Sequence, residues 1–258
     1  MRVKLTLMAT GPKATLPLNY NHAVAGLIYR TLGNASEEFA AMLHDEGFKA
    51  ERRTFKLFTF SRLFATRSRV AGDRLLLESP AVTLLVSSPV VDFVEHFVSG
   101  LFQSERFNIA GAEFGLSEAE TIAPPEFSER MVFRALAPIT ESVRDEQNRV
   151  RYLGLEDDWS EIIERNLARK YIALYGREPA DSRLHWEWDE EYITEQARRN
   201  RRPSVLIEVS EGIKVRGWLV PFTVEGSTEL IKIGYEAGFG KSNAMGFGMA
   251  EVIHETAF

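Results

Sequence analysis

The chain has 258 residues, 45 % of them hydrophobic, no cysteine and a formal charge of −6. That length and apolar content provide for one large or two ordinary domains with cores of their own, and the missing cysteines exclude disulfides and thiolate metal sites. No apolar run approaches the ~20 residues of a spanning helix, and the opening MRVKLTLMAT is too short and too alternating for a signal peptide, so a cytoplasmic globular protein without a membrane partner is expected.

RVKLTLMAT alternates apolar and polar residues and reads as a strand. PLNYNHAVAGLIYRTLGN predicts a helix, with asparagines as caps and Ala23, Leu27 and Ile28 on its apolar face. A second, short helix follows in SEEFAAMLHDEG: Ser36 caps it, Phe39, Ala40 and Leu43 share one face, and Gly47 stops it. FKLFTFSRLFA and DRLLLESPAVTLLVSS read as strands, PVVDFVEHFVSGLFQS as a helix, and RFNIAGAEFGLSEAETI as a closing strand. The order β-α-β-β-α-β is that of the ferredoxin-like unit. Pro124-Pro125 in APPEFS interrupts both helix and ladder and marks a linker.

After the linker the order recurs. RMVFRALAPITESVR is strand-like, DDWSEIIERNLARKYIALYG is a capped amphipathic helix, and RLHWEWDEEYI and SVLIEVSEGIKVRGWLVPFTVEG supply strands. STELIKIGYEAG is the second helix and GFGMAEVIHE the last strand. The expected fold is α+β, two tandem ferredoxin-like (RRM-like) domains spanning residues 1–123 and 128–258.

Net acidity weighs against a nucleic-acid partner, but the charge is unevenly spread. Residues 1–125 carry 13 Lys+Arg and 13 Asp+Glu, so the whole deficit lies in the second half. Within the neutral half, residues 49–74 hold eight basic side chains, Arg52, Arg53, Arg67 and Arg69 among them, against Glu51 and Asp73, interleaved with aromatics. Such a stretch is either a solvated basic face or a track for an RNA backbone. ARRNRRPS at 197–204 leaves the same choice, a solvated loop between strands or an arm on RNA.

GFGKSNAMGFGM at 238–249 concentrates four glycines in two GFG pairs. Glycines cluster where the backbone takes positive φ or approaches another group, and free N–H groups in such a loop cradle anions, so phosphate is the expected ligand. Neither mononucleotide motif fits. Where the Walker pattern needs its first glycine stands Tyr235, and the third glycine of the dinucleotide fingerprint falls on Asn243 or Glu251. Both motifs also open a βαβ unit, whereas this loop joins a helix to the final strand.

The spacing G-F-G, five residues, G-F-G in that place resembles the signature of the CRISPR-associated endoribonucleases that cut repeat RNA into guide RNAs, members of the repeat-associated mysterious protein superfamily. The resemblance extends through IKIGYEAGFGKSNAMGFGM, PLNYNHAVAGLIYRTL, AAMLHDE and FKLFTFSRL, leaving residues 105–200 with the element pattern alone. It implies cleavage of CRISPR repeat RNA without metal or other cofactor. The 2′-hydroxyl attacks the adjacent phosphate and leaves a 2′,3′-cyclic phosphate and a 5′-hydroxyl, with a CRISPR effector complex as a further partner. Such chemistry needs a proton acceptor, a proton donor and a cation. The residues that match the family's catalytic positions are Tyr29 in LIYRTL, His44 in MLHDE and Lys56 in FKLF. For the RNA, the resemblance points to Lys241 and the loop amides around Gly238, Gly240, Gly246 and Gly248, with Phe239 and Phe247 holding the loop in place.

His44 also stands out without the resemblance, in the last turn of its helix, where the C-terminal dipole favours an imidazolium able to act as acid and Asp45 and Glu46 lie close. A plain surface histidine fits there equally, and Tyr29 and Lys56 read as a core-edge tyrosine and a strand-end lysine. His22 is the rival, more naturally a capping or packing residue, and His96, His185 and His254 stand alone. The acidic clusters Glu156-Asp157-Asp158 and Asp189-Glu190-Glu191 suit a helix start and an exposed strand end better than a two-metal site. Two other classes stay open: an RNA-binding subunit of the same superfamily that does not cut, and a nucleotide-binding enzyme using GFGKS.

Overall fold

Arg2–Ala9 (β1) buries Val3, Leu5 and Leu7 on one face and forms the centre of the first sheet. A computed structural model describes residues 1–11, 14–210 and 212–253 of the chain. The helices Asn21–Ala35 (α1) and Glu37–Asp45 (α2) follow β1, then the strands Thr59–Phe60 (β2) and Ala81–Ser87 (β3). The helix Val91–Phe102 (α3) and the strands Phe107–Ile109 (β4) and Ala112–Ile122 (β5) close the unit. The sheet runs β4-β5-β1-β3-β2, all antiparallel, with Val3 opposite Val86 on one side and Thr121 on the other. α1 and α3 cover its apolar face so closely that a Cβ on Gly100 would lie 1.8 Å from the Thr31 carbonyl oxygen, and only glycine admits that crossing.

The second unit repeats the order. Arg130–Ala135 (β6) leads to the helix Ser160–Tyr175 (α4) and the strand Leu184–Trp188 (β7). The helix Glu190–Arg198 (α5) and a hairpin of Ser204–Ser210 with Ile213–Trp218 are inserted next. Phe222–Gly226 (β8), the helix Thr228–Ala237 (α6) and Ala250–Val252 (β9) complete it, in the sheet order β7-β8-β6-β9. Counted within each unit, both sheets carry the ferredoxin-like spatial order of fourth, first, third and second strand. One apolar core runs through both, from Val3 and Phe58 to Phe133, Phe222 and Phe239. Among the described residues no helix is long and apolar enough to cross a membrane.

Several expected strands break, each at an identifiable hydrogen bond or turn. FKLFTFSRLFA divides into β2 and a two-residue strand Phe64–Ala65, because the Arg62 N–H turns to the Leu136 carbonyl of the second unit and the Leu63 N–H to the Tyr20 hydroxyl. Ser79-Pro80 detaches Arg74–Leu77 from β3, and that segment pairs instead with Thr15–Pro17 and Ser68–Ala71 in a separate small sheet. Ala110-Gly111, both at positive φ, fold the closing strand into a hairpin. WDEEYI is no strand beyond Trp188: Asp189 Oδ1 accepts the Tyr192 N–H at 2.8 Å and starts α5, so Glu190 and Glu191 sit in a helical first turn. ARRNRRPS accordingly ends a helix rather than joining two strands.

Candidate active site

The short helix α2 sets the site. Ser36 Oγ accepts the Phe39 N–H at 3.1 Å, and Phe39 and Leu43 anchor the apolar face. Gly47 then turns the chain at φ +62°, where a Cβ would lie 2.7 Å from the Phe55 carbonyl oxygen and 3.2 Å from Lys56 Cδ. Only glycine lets the following hairpin, Phe48–Ala50 with Arg53–Phe55, fold back onto the helix end. Lys56 thereby places Nζ 2.6 Å from the His44 carbonyl oxygen, one of the free acceptors of the helix C-terminus, where a cation also complements the dipole. Leu57, buried at φ +50°, turns the chain so that Phe58 enters the core.

Tyr29 reaches the same place from α1. Its ring meets His44 edge-on with centroids 5.2 Å apart, and it packs edge-on against Phe58 at 5.6 Å. The geometry thus brings together all three residues expected to work in concert, from three separate segments. His44 Nδ1 lies 2.8 Å from Asp45 Oδ1, and both side chains are exposed. A carboxylate only accepts, so Nδ1 is the donor in this contact. Burial pushes the Tyr29 phenol up to about 12. Lys56 is held below the usual lysine range by desolvation, with Asp45 pulling it back.

Among the described residues, no other histidine makes a hydrogen bond or ring contact with this cluster. His22 is exposed at the start of α1. His96 packs on Phe39 at 5.0 Å, His185 Nδ1 is 3.4 Å from Ser160 Oγ, and His254 falls outside the described residues. The asparagines expected to cap α1 do not do so. Tyr20 occupies the cap, and Asn21 is buried with its Nδ2 donating to the carbonyls of Met245 at 3.2 Å and Gly246 at 3.4 Å.

That contact explains the glycine-rich loop. Gly238, Gly240, Gly246 and Gly248 all take positive φ and are buried. A Cβ on Gly246 would come within 2.3 Å of Asn21 Nδ2 and 2.7 Å of Phe60, and one on Gly240 within 2.4 Å of the Thr140 carbonyl oxygen. The packing of the protein against itself thus requires these glycines, since the space a Cβ would take is filled by the protein. The N–H groups of Phe239, Lys241, Met245, Gly246 and Gly248 bond to protein carbonyls, so an anion cradle would fall to the other amides of the loop. The loop is the joint between the two units, with Thr59 Oγ1 donating to the Phe247 carbonyl at 2.9 Å and the rings of Phe239 and Phe247 fully buried.

Lys170, which the sequence reading passed over, secures the joint. Buried on α4, its Nζ donates to the carbonyls of Gly238 and Gly240, each at 2.6 Å, and to Asn243 Oδ1 at 2.7 Å. Burial pulls it down to about 7, and the neighbouring Glu141 pulls it back up. Three acceptors around one nitrogen match the three protons of an ammonium, the form this geometry holds. Its signal was available: Lys170 follows Leu167 by three and precedes Tyr171 on the buried stripe of α4.

Between the hairpin, α4 and the loop lies a cleft of about 270 Å³, lined among others by Arg53, Lys56, Arg165 and Lys241. Lys241 lines it half-buried, its Nζ 2.5 Å from Ser142 Oγ and 4.5 Å from the centre of the Tyr152 ring. The four arginines separate. Arg52 and Arg53 share the hairpin beside the cleft, whereas Arg67 and Arg69 belong to the small separate sheet, where Arg69 pairs with Glu78 at 3.0 Å. We expect Arg53→Ala to lower the slope of log RNA affinity against log salt by about 0.7 for a single-stranded contact, and Arg69→Ala to leave it unchanged. Equal slopes for both variants would move the RNA off the cleft.

The acidic clusters have structural partners. Asp157 binds Arg151 and the Gly154 N–H, Asp158 accepts from the Ser160 N–H, and Asp189 caps α5. Among the described residues no three His, Asp or Glu side chains are grouped to hold a metal.

Comparison with known proteins bears on the whole chain. A family model described as CRISPR associated protein Cas6, C-terminal, matches residues 122–252, and one described as CRISPR-associated protein Cas6, N-terminal, matches residues 15–120. The CRISPR-associated endoribonuclease Cas6 1 of Methanocaldococcus jannaschii is 29 % identical, the match covering 96 % of this chain and 91 % of that protein. The CRISPR-associated endoribonuclease Cas6 of Pyrococcus furiosus is 28 % identical over 92 % of this chain and 83 % of its own length. The structure of a Cas6-related protein from Pyrococcus furiosus superposes with a TM-score of 0.84 at 22 % identity, covering 99 % of each chain.

Proposed function

This chain belongs to the Cas6 family of CRISPR-associated proteins, and from that premise we propose that it is an endoribonuclease that processes CRISPR repeat RNA by attack of a 2′-hydroxyl, without metal. The observation that carries the reading is the convergence of Tyr29, His44 and Lys56. In place of the acid expected from its helix position, the neutral His44 ring acts as base: with Nδ1 donating to Asp45, its Nε2 takes the 2′-hydroxyl proton, the 2′-oxygen bonds to phosphorus, and the bond to the 5′-oxygen breaks. Tyr29, a phenol at neutral pH, donates the proton that the leaving 5′-oxygen needs. Lys56 gives one hydrogen bond to the His44 carbonyl, and its remaining N–H groups face the charge that gathers on the phosphorane. The products are a 2′,3′-cyclic phosphate and a 5′-hydroxyl.

The test is incubation of the purified protein with repeat RNA from its own genome, followed on a denaturing gel. We expect cleavage to persist in excess EDTA, with a cyclic phosphate on the 5′ fragment. Strict dependence on an added divalent ion would overturn the mechanism. Tight binding without a cut would favour the RNA-binding subunit.

Tyr29 gives a pH prediction with a definite sign. A group that titrates at about 12 keeps its proton from pH 6 to 9, so Tyr29→Phe is expected to lower the single-turnover rate by the same factor, about 10-fold or more, at every pH in that range. A pH profile that changes shape would assign Tyr29 an ionised role.

A further inference from the structure

The hairpin of Ser204–Ser210 with Ile213–Trp218 has two faces of different kind, because successive side chains of a strand point to opposite sides. Ile207 and Val215 stand opposite each other and are buried on one side. The other side presents Lys214, Arg216 and Trp218, with Leu206 opposite Arg216 and 55 % exposed. The chain then brings more charge over this outer face. After α5, Asn200 takes φ +53° and the Arg201 N–H bonds back to the Gln196 carbonyl at 2.9 Å. Next, the Pro203 carbonyl accepts the Leu219 N–H at 2.8 Å, which fixes Arg201 and Arg202 beside the hairpin. Together these residues line a groove of about 890 Å³, wider than the cleft beside Lys56.

The charge of this groove is left unbalanced on a chain that is acidic as a whole. Among the described residues, none of Arg201, Arg202, Lys214 and Arg216 is within ion-pair distance of a carboxylate, whereas the nearby Arg151 is held by Asp157 and Arg199 by Glu195. Arg216 gives one bond to Ser204 Oγ at 2.9 Å and keeps its other donors. Glu156 is the single acid in the lining. Cations gathered in this way repel one another, and a polyanion relieves that repulsion.

The apolar part of the lining selects among polyanions. Leu206 and Trp218, whose ring is held by Nε1 donating to the Leu153 carbonyl at 2.9 Å, give the groove a floor that a duplex cannot use, since its bases are stacked inside. A single strand offers both phosphates and base faces. The groove is also continuous with the cleft. Ser142 lines the cleft, and its ladder partner Tyr152 lines the groove, so one pair of residues separates the two. Lys241 Nζ, 4.5 Å from the centre of the Tyr152 ring, carries positive charge across that boundary.

Resting on the RNA-cleaving reading above, we propose that this groove is a second RNA site: it holds single-stranded RNA that continues from the cleft, with Arg201, Arg202, Lys214 and Arg216 on its phosphates and Leu206 and Trp218 under its bases. The groove lies apart from Tyr29, His44 and Lys56, so it sets affinity and not the rate of the cut.

The experiment uses the full chain and two RNAs, the whole repeat and the shortest piece of it that is still cut, each with 2′-deoxyribose at the scissile position so that binding is read without cleavage. Arg201 and Arg202 are exposed, and replacing both by Ala should weaken binding of the whole repeat about 10-fold. The slope of log affinity against log salt should drop by about 1.4, two single-strand contacts. Affinity for the short RNA should stay within about 2-fold of wild type, and the single-turnover rate on saturating all-ribose RNA should be unchanged. Lys214→Ala, on the exposed face of the hairpin, should lower the slope by about 0.7 and supplies the test if the double variant fails to fold. Annealing a complementary strand to the flank outside the short RNA should cost wild type the same factor of about 10; no loss there overturns the single-stranded assignment. Unchanged affinity and slope on the whole repeat, the result an acidic protein occupant would give, overturn the groove as an RNA site and leave the cleavage reading intact. An equal loss on both RNAs also overturns it, because the variants then act through the fold or the cleft. Failure of the wild type to bind any repeat RNA overturns both readings.

Discussion

His44→Ala is expected to slow single-turnover cleavage of repeat RNA by about 10²- to 10⁴-fold, the usual scale for one proton-transferring group, with affinity nearly unchanged. The side chain is exposed, and its ring contact is confined to the edge of Tyr29, so its removal leaves the core intact. His22→Ala, exposed at the start of α1, should change the rate far less. A companion substrate with a single 2′-deoxy nucleotide on the 5′ side of the scissile phosphate lacks the nucleophile and should bind but not be cut. The two results interlock. Cleavage of the deoxy substrate refutes the 2′-hydroxyl attack, whereas a normal rate in His44→Ala with an uncut deoxy substrate keeps the chemistry and moves the proton transfer to Tyr29 or another group.

Lys170→Met is expected to destabilise the protein by about 3–5 kcal/mol, the cost of removing one member of a buried charged network. Methionine fills much of the volume but gives no hydrogen bond, so the carbonyls of Gly238 and Gly240 and the Asn243 side chain lose their donor inside the protein. Because those groups hold the joint between the two units, RNA affinity should fall along with the denaturant midpoint. A shift below about 1 kcal/mol would mean that the loop holds its shape without the lysine. Lys170→Arg should not rescue, since a planar guanidinium cannot place its donors on three converging oxygens.

Much of the site was legible because its parts are local. Ser36, the apolar stripe of α2 and Gly47 specify a short helix ending at His44, and each acts within a few residues of the next. The basic hairpin beside Lys56 was legible as charge, but its split into Arg52 and Arg53 at the cleft and Arg67 and Arg69 on another sheet was not. The strand break at Arg62 was hidden because it depends on a partner far along the chain, the Leu136 carbonyl. Asn21 misled for the same reason: asparagine before a helix is ordinarily a cap, and here a loop more than 200 residues away competes for it.

By itself, then, the order of apolar periods and turn residues determined two β-α-β-β-α-β units, the helix that carries His44, and a glycine-rich crossing before the final strand, since these depend on backbone preference and on burial of one face. The tertiary structure alone decided what surrounds that crossing. Four glycines read as a cradle for phosphate when only the loop is considered, but Asn21, Phe60, Thr140 and Lys170 occupy the space around them and engage the backbone, making the loop the hinge-pin of the two units. Packing likewise decided that Tyr29 and Lys56 meet at His44. Contacts between residues tens to hundreds of positions apart leave no periodic trace in the chain, because each side chain is chosen for a neighbour that only folding supplies.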